Sequence, residues 1–227
     1  MDLTPRIVSS NPDPRAPCVL VLDTSGSMAG APIASLNQGL KDLQTDLASD
    51  PVARKRVELA IVTCGGTVDV ASEFSEIRDF EPPELKAYGA TPLGQALDTA
   101  MDLIVERKQV YRRAGLEYYR PWLFVITDGS PTDDLRFRLA TERLRAMESA
   151  RSLSVFPVMV GFDADMAAMR LIAANRQPVQ LREMRFGAMF QWLSASLSVV
   201  SGSAASADRD VDGPQVPLPS PEGWASW

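Results

Sequence analysis

Short apolar runs alternate with amphipathic helical patterns along most of this chain. Val19–Leu22, Trp122–Thr127 and Val155–Val160 are nearly continuous apolar runs of strand length. Such runs are typical of parallel strands that are buried on both faces. A helical pattern with one apolar face follows each of them. We therefore predict an α/β fold with three layers, in which a doubly wound, mostly parallel sheet lies between two layers of helices.

The remaining strand patterns define the edges of this sheet. Val57–Thr63 and Val68–Phe74 flank Gly65-Gly66, which predicts a hairpin and makes the second run an antiparallel edge strand. Val179–Leu181 is expected to be a last, short edge strand. The predicted helices begin near Pro32, Thr91, Leu135, Met166 and Phe186.

Several predicted helix starts carry capping residues. In Thr91-Pro92, the threonine is expected at the N-cap and the proline at the first helical position. Asp133-Asp134 precedes the helix that begins at Leu135, and its expected roles are N-capping and interaction with the helix dipole, rather than support of the metal ligands or catalysis. Asp163 and Asp165 are expected to cap the helix that begins at Met166.

Composition narrows the classes of function that the chain can perform. Its 227 residues are 45% hydrophobic, which is enough to bury a large core. The formal net charge of −6 provides no global basic field that would recruit nucleic acid. Histidine is absent, which removes the commonest general base, the usual Ser/His and Cys/His pairs and nearly every zinc site. Acid–base chemistry by Asp, Glu, Lys or Tyr remains open.

The pattern predicts one main domain with two appendages. The domain is expected over residues 18–200, after an N-terminal extension at 1–17 and before a Pro/Ser-rich tail at 201–227. This tail contains Trp224 and Trp227, which are unlike solvated linker residues. The sequence leaves open whether the tail docks on its own domain or on a partner.

Cysteine usage and hydropathy indicate a cytoplasmic location. Cys18 begins one predicted strand and Cys64 ends another, so parallel strands would place them at opposite ends of the sheet. Two buried free thiols are typical of a reducing compartment. No run has the length of a signal peptide's apolar region or of a membrane span.

Oxygen-bearing side chains follow two of the buried strands and precede one helix. Asp23, Ser25 and Ser27 lie in the turn after the first strand, and Asp128 follows the strand that ends at Thr127. Thr91 lies in a turn that can reach the same edge of the sheet. Two carboxylates and three hydroxyls, completed by water, suit Mg²⁺, with Ca²⁺ or Mn²⁺ as alternatives. We therefore predict one metal site made of these five residues.

Such a site would favour an anionic ligand from another molecule. Hydroxyl ligands are neutral, so a metal held mainly by them keeps uncompensated positive charge. The N-terminus of the helix that begins near Thr91 is expected to add positive potential. A partner's Asp or Glu would then complete the metal's coordination.

The spacing of these residues resembles a known motif. Asp23-Thr-Ser-Gly-Ser27, followed by Thr91 and by Asp128, resembles the metal-ion-dependent adhesion site (MIDAS) of von Willebrand factor A (VWA) domains. The resemblance implies that Ser25, Ser27 and Thr91 are hydroxyl ligands. It implies that Asp23 and Asp128 act directly or through water.

Further stretches resemble a narrower group, the bacterial TerY-type tellurium-resistance VWA proteins. They include Phe80–Glu84, Gly89–Gly94, Tyr118–Trp122, Phe190–Ser194 and Pro221–Ser226. The resemblance implies a cytoplasmic protein linked to tellurite resistance and stress response. It also implies partners such as a PP2C-type phosphatase or a protein kinase.

Three functions are compatible with these residues to different degrees. The first is a non-enzymatic module that binds a protein partner through the metal. The second is a Mg²⁺-dependent phosphoryl-transfer enzyme with Asp23 as nucleophile, although such phosphatases need an Asp where this chain has Ser25. The third is nucleic-acid binding by the Arg107–Arg120 segment, for which a solvated helix end with packed tyrosines is the favoured interpretation.

Overall fold

The computed structural model describes residues 11–161, 165–202 and 225–226. The strands are β1 (Ala16–Asp23), β2 (Val57–Gly65), β3 (Thr67–Glu76), β4 (Trp122–Thr127), β5 (Ser154–Val160), β6 (Val179–Leu181) and β7 (Ala225–Ser226). The α-helices are α1 (Ala31–Ser49), α2 (Ala53–Arg56), α3 (Leu93–Ala114), α4 (Asp134–Ser149), α5 (Met166–Ile172) and α6 (Phe186–Gly202).

The strands form one sheet in the order β3-β2-β1-β4-β5-β6-β7. β1 pairs in parallel with β2 on one side and with β4 on the other, and β5 and β6 continue the parallel part. β3 is antiparallel at one edge, so the predicted mostly parallel three-layer fold is confirmed. β6 was expected at an edge, but β7 pairs antiparallel on its outer side.

The chain reverses its winding direction at β1. It leaves β1 for β2 and later returns to β4, so the loops after β1 and β4 diverge at the carboxyl ends of neighbouring strands. Ligands of open α/β sheets bind at this kind of switch point. Both loops carry predicted metal ligands: Asp23, Ser25 and Ser27 follow β1, and Asp128 follows β4.

Alternate residues of the strands face two separate cores. Leu20 and Leu22 of β1 belong to the core that includes α1 and α6. Val19 and Val21 belong to the core that includes α3, α4 and α5. All residues of β1, β2, β4 and β5 are buried, which explains why these strands have continuous apolar sequences.

The basic and aromatic segment at the end of α3 agrees only in part with its interpretation as a solvated helix end: Arg112 and Arg113 are exposed, as expected, but Arg107 is buried. Arg107 and Tyr111 both contact Glu58 of β2, with Arg107 Nη2 2.7 Å and Tyr111 Oη 2.5 Å from Glu58 Oε2. Arg15 Nε lies 3.1 Å from Glu58 Oε1. Lys108 is also buried and donates to the Ser152 hydroxyl at 2.9 Å. The buried side chains Arg107, Lys108 and Tyr111 are therefore unable to reach nucleic acid.

Smaller predictions have mixed outcomes. Cys18 and Cys64 are free and buried, as expected, and burial raises the pKa of each thiol. Asp165 caps α5 by accepting a hydrogen bond from the Ala168 N–H at 3.0 Å, whereas Asp163 lies outside the described residues.

Among the described helices, none is long and apolar enough to cross a membrane.

Two residues of the predicted C-terminal tail belong to the sheet. Ala225 pairs with Leu181 of β6 and is buried in the core with α1 and α6. This pairing favours docking of the tail's end on its own domain, one of the two alternatives that the sequence left open. Trp224 and Trp227 lie outside the described residues.

Candidate metal centre

The first loop is shaped by the Asp23 carboxylate at the end of β1. Asp23 Oδ1 accepts a hydrogen bond from the Ser25 N–H at 2.8 Å, so the side chain turns the backbone two residues further on. A single 3₁₀ turn, Gly26–Met28, follows. The hydroxyls of Ser25 and Ser27 come to lie 3.0 Å apart. Alternate positions of the loop therefore present their oxygens to one place.

The loop after β4, called the third loop because it comes last of the three in the chain, is hydrogen-bonded directly to the first loop, which follows β1. The Thr127 hydroxyl donates to Asp23 Oδ2 at 2.5 Å, and the Ser27 hydroxyl donates to Asp128 Oδ1 at 2.8 Å. Both contacts follow from the parallel pairing of β1 with β4, which brings their carboxyl ends side by side. Thr127 was not among the predicted ligands, and its role here is to fix the buried oxygen of Asp23.

The second loop, residues 88–92 before α3, is attached to the first loop through backbone hydrogen bonds. Gly26 N–H donates to Gly89 O at 2.9 Å, and Tyr88 N–H donates to Thr24 O at 2.8 Å. Thr91 is buried, and a Cβ added to Gly129 would lie 3.5 Å from Thr91 Oγ1 and 3.9 Å from Asp23 Oδ2. Both oxygens therefore lie beside Gly129. The structure brings the five predicted ligand residues together.

The start of α3 differs from the sequence prediction. Pro92, rather than Thr91, occupies the N-cap position and α3 begins at Leu93. The cap comes from the third loop, because Asp133 Oδ1 accepts from Gly94 N–H at 2.9 Å and Oδ2 accepts from Gln95 N–H at 2.8 Å. Asp133 also occupies the N-cap position of α4, but its side chain makes no cap there. The expectation that its side chain caps its own helix is therefore wrong, whereas Asp134 lies in the first turn of α4, where the expected interaction with the helix dipole is favourable.

This cap changes the expected electrostatics of the site. The N-terminus of α3 was expected to attract an external carboxylate, but Asp133 already satisfies its free N–H groups. The sequence did not indicate this role of Asp133, because Thr91 offered a capping side chain next to the helix and Asp133 lies 38 residues after Gln95.

The carboxylates of the site are close together without an internal counter-ion. Burial raises the pKa of Asp128; the Ser27 hydrogen bond acts in the opposite direction, and the charge of Asp23 adds to the rise. Within the described segments, no lysine or arginine forms an ion pair with Asp23 or Asp128. A bound cation would supply the missing positive charge.

The donor set fits a hard divalent cation. The described residues contain no group of three or more His, Cys, Asp or Glu side chains that could hold a metal. The centre instead combines two carboxylates with hydroxyls, a set that suits Mg²⁺, Ca²⁺ or Mn²⁺ rather than Zn²⁺. Asp23 is fully buried, whereas Asp128 is half-buried and Ser27 is exposed. The centre is therefore open to solvent on the side of Ser27.

A family model described as von Willebrand factor type A domain matches residues 18–188 of the chain. The chain belongs to this family. The matched region of this VWA protein contains the three loops that carry Asp23, Thr91 and Asp128. No curated protein matches the chain.

Solved structures support the same fold. A von Willebrand factor type A protein from Catenulispora acidiphila has 15% identity and a TM-score of 0.63, covering 82% of this chain and 43% of that chain. PTMP1 from the mussel byssus, with a zinc-occupied MIDAS motif, has 15% identity and a TM-score of 0.55, covering 82% and 48%. Manganese-loaded TRAP from Plasmodium vivax has 22% identity and a TM-score of 0.50, covering 71% and 63%. The chain thus spans less than two thirds of each relative.

Proposed function

We propose that this VWA protein binds a divalent cation, with Mg²⁺ as the first candidate, and uses it to bind a protein partner. Asp23, Ser25, Ser27, Thr91 and Asp128 would hold the ion, and an Asp or Glu of the partner would complete its coordination. One observation carries the proposal: two adjacent carboxylates, linked to hydroxyls on an open edge of the sheet, have no ion-pair partner among the lysines and arginines that the structure describes. The zinc and manganese in two relatives of the same fold support it.

Binding is better supported than phosphoryl transfer. A nucleophilic Asp23 would need a free oxygen that can reach a substrate's phosphorus atom. Asp23 is fully buried, and its two oxygens accept hydrogen bonds from Ser25 N–H and the Thr127 hydroxyl. We therefore propose a non-enzymatic role for the site.

The cellular context is proposed from the TerY-like stretches of the sequence. They support a cytoplasmic protein that acts in bacterial tellurite or stress resistance. The partner would then be a PP2C-type phosphatase or a protein kinase, and this VWA module would act as its metal-dependent regulator. This part of the proposal depends on sequence resemblance alone.

A pull-down tests metal and partner together. The tagged protein is incubated with lysate in Mg²⁺, in chelator, and in chelator followed by excess Mg²⁺. We expect a partner, identified by mass spectrometry, that is lost in chelator and recovered with Mg²⁺. A partner retained equally in chelator would contradict metal-mediated binding. Recovery of proteins other than a phosphatase or kinase would contradict only the proposed context.

Asp133 should affect the metal affinity although it is not a proposed ligand. Its carboxylate joins the loop of Asp128 to the helix that follows Thr91, and the Thr132 N–H donates to Thr91 O at 3.0 Å. An Asn accepts through only one oxygen, so Asp133→Asn should loosen this junction. We expect about 10–100-fold weaker Mg²⁺ binding by calorimetry, the range typical of residues that orient metal ligands.

A second substitution tests whether Asp133 acts by positioning the metal-binding loops or only by capping α3. Pro92→Ser offers α3 a local N-cap and does not replace the link between the two loops. When Pro92→Ser is added to the Asp133→Asn variant, we expect the melting temperature measured in chelator to be restored but the Mg²⁺ affinity to remain low. Pro92→Ser alone is the control. Recovery of affinity together with stability would assign Asp133 a purely structural role.

A further inference from the structure

The three most exposed large apolar side chains of the described residues belong to the loop that carries Thr91 and to the first turns of α4, the helix after the Asp128 loop. Leu135, Leu139 and Tyr88 are 73%, 59% and 50% exposed, and the next is Val199 at 45%. Single exposed apolar residues are ordinary on protein surfaces. Three that lie beside one open site, in a chain whose other exposed apolar residues are scattered, indicate a binding surface.

Tyr88 belongs to the loop that carries Thr91. Its N–H donates to Thr24 O at 2.8 Å, and its hydroxyl lies 2.8 Å from the Thr67 hydroxyl. The ring lies against Gly66, where an added Cβ would be 2.7 Å from Tyr88 Cε2. The ring is therefore held in place before any partner arrives, so little conformational entropy is lost on binding.

Leu135 and Leu139 belong to the first two turns of α4. They are four residues apart and lie on one helix face, while Phe137 and Ala140 of the same turns are buried. The start of α4 is fixed beside the Thr91 loop by Asp133. Tyr88 contacts the turn between β2 and β3, whereas α4 follows β4, so Tyr88 and the two leucines belong to elements on either side of β1 in the sheet.

The three loops around the centre are uncharged, whereas exposed Asp134, Arg136 and Arg138 lie beside the two leucines on α4. No charged residue occurs in 24–31, 88–92 or 129–132, although 23% of the chain is charged. The exposed residues of these three loops include Gly26, Ser27, Ala29, Gly30, Gly89, Ala90 and Ser130. A partner can therefore approach the metal closely, and residues directly flanking its carboxylate would find no opposite charge on these three loops.

We propose that Tyr88, Leu135 and Leu139, here called the apolar rim, dock apolar side chains that flank the partner's metal-binding carboxylate. The partner is thus a protein segment with one Asp or Glu between apolar neighbours, rather than an acidic tract. This inference rests on the proposed function, because the carboxylate is the one that completes the metal's coordination. Tyr is among the side chains enriched at the centre of protein interfaces, and the two exposed leucines add apolar area that a partner can bury.

Selection from a random peptide library tests the rim and requires no identified partner. A displayed library of random 12-residue peptides is selected on the parent protein in Mg²⁺. We expect enriched peptides with one Asp or Glu flanked by apolar residues. Their Kd should rise at least about tenfold for Leu135→Ser/Leu139→Ser and for Tyr88→Ala. Val199→Ser, an exposed residue of α6 on the other helix layer, should leave Kd unchanged.

The outcomes distinguish the rim from the metal site. Calorimetry first checks that the rim variants bind Mg²⁺ like the parent. Enriched acidic tracts, an unchanged Kd in the rim variants or no enrichment at all would overturn the rim. Peptides that bind equally well in chelator would instead overturn the proposed function, even where the rim variants weaken them.

Discussion

The Asp23→Ala variant is expected to lose detectable Mg²⁺ binding and, with it, metal-dependent retention of a partner. Asp23 is the only proposed ligand whose two oxygens hold different loops, through Ser25 N–H and the Thr127 hydroxyl. Its loss removes one of the two negative charges of the centre and releases both contacts. Isothermal titration with Mg²⁺ and the pull-down give the two readouts.

Matched variants separate this effect from unfolding. Asp23→Asn keeps the volume and one acceptor but removes the charge, so it should lose the metal and still fold cooperatively. Asp46→Ala removes a carboxylate from α1, far from the loops, and should bind Mg²⁺ like the parent. If Asp23→Ala bound Mg²⁺ and the partner as well as the parent does, the proposed function would be wrong.

The sheet was predictable because its central strands are buried on both faces. Trp122–Thr127 was predicted with the bounds that the structure has, since five apolar residues and a β-branched threonine between turn residues permit little else. The hairpin after Gly65-Gly66 was predictable for a similar reason, because Gly66 has a φ of 68° that favours glycine. Both predictions depend on local sequence patterns, and the strands that they define position the loops of the candidate site.

Contacts between distant residues were not predictable from local pattern. Asp133 precedes a helix, so it has the pattern of an N-cap for α4, but its side chain caps α3, 38 and 39 residues away in the chain. Arg107 has the pattern of a solvated helix residue because its partner Glu58 lies 49 residues earlier. In both cases the sequence shows the charge but not its partner.

The second large effect is expected from Glu58→Ala, which should reduce the free energy of unfolding by about 3–5 kcal/mol. Glu58 is buried between Arg15 and Arg107, and it also accepts a hydrogen bond from Tyr111. Its removal leaves two buried guanidinium groups without this carboxylate. Urea denaturation measures the loss, and Glu73→Ala, which removes an exposed carboxylate on β3, should change stability by less than about 0.5 kcal/mol.

The order of two single substitutions tests the reason for this loss. Arg107→Ala removes one cation, but Glu58 keeps Arg15 at 3.1 Å and therefore remains paired. Glu58→Ala removes the carboxylate that both arginines share, so it should destabilise the protein more than Arg107→Ala does. The reverse order would show that packing of the Arg107 side chain, rather than compensation of buried charge, stabilises this end of the sheet. The network would then contribute mainly through the apolar part of that side chain.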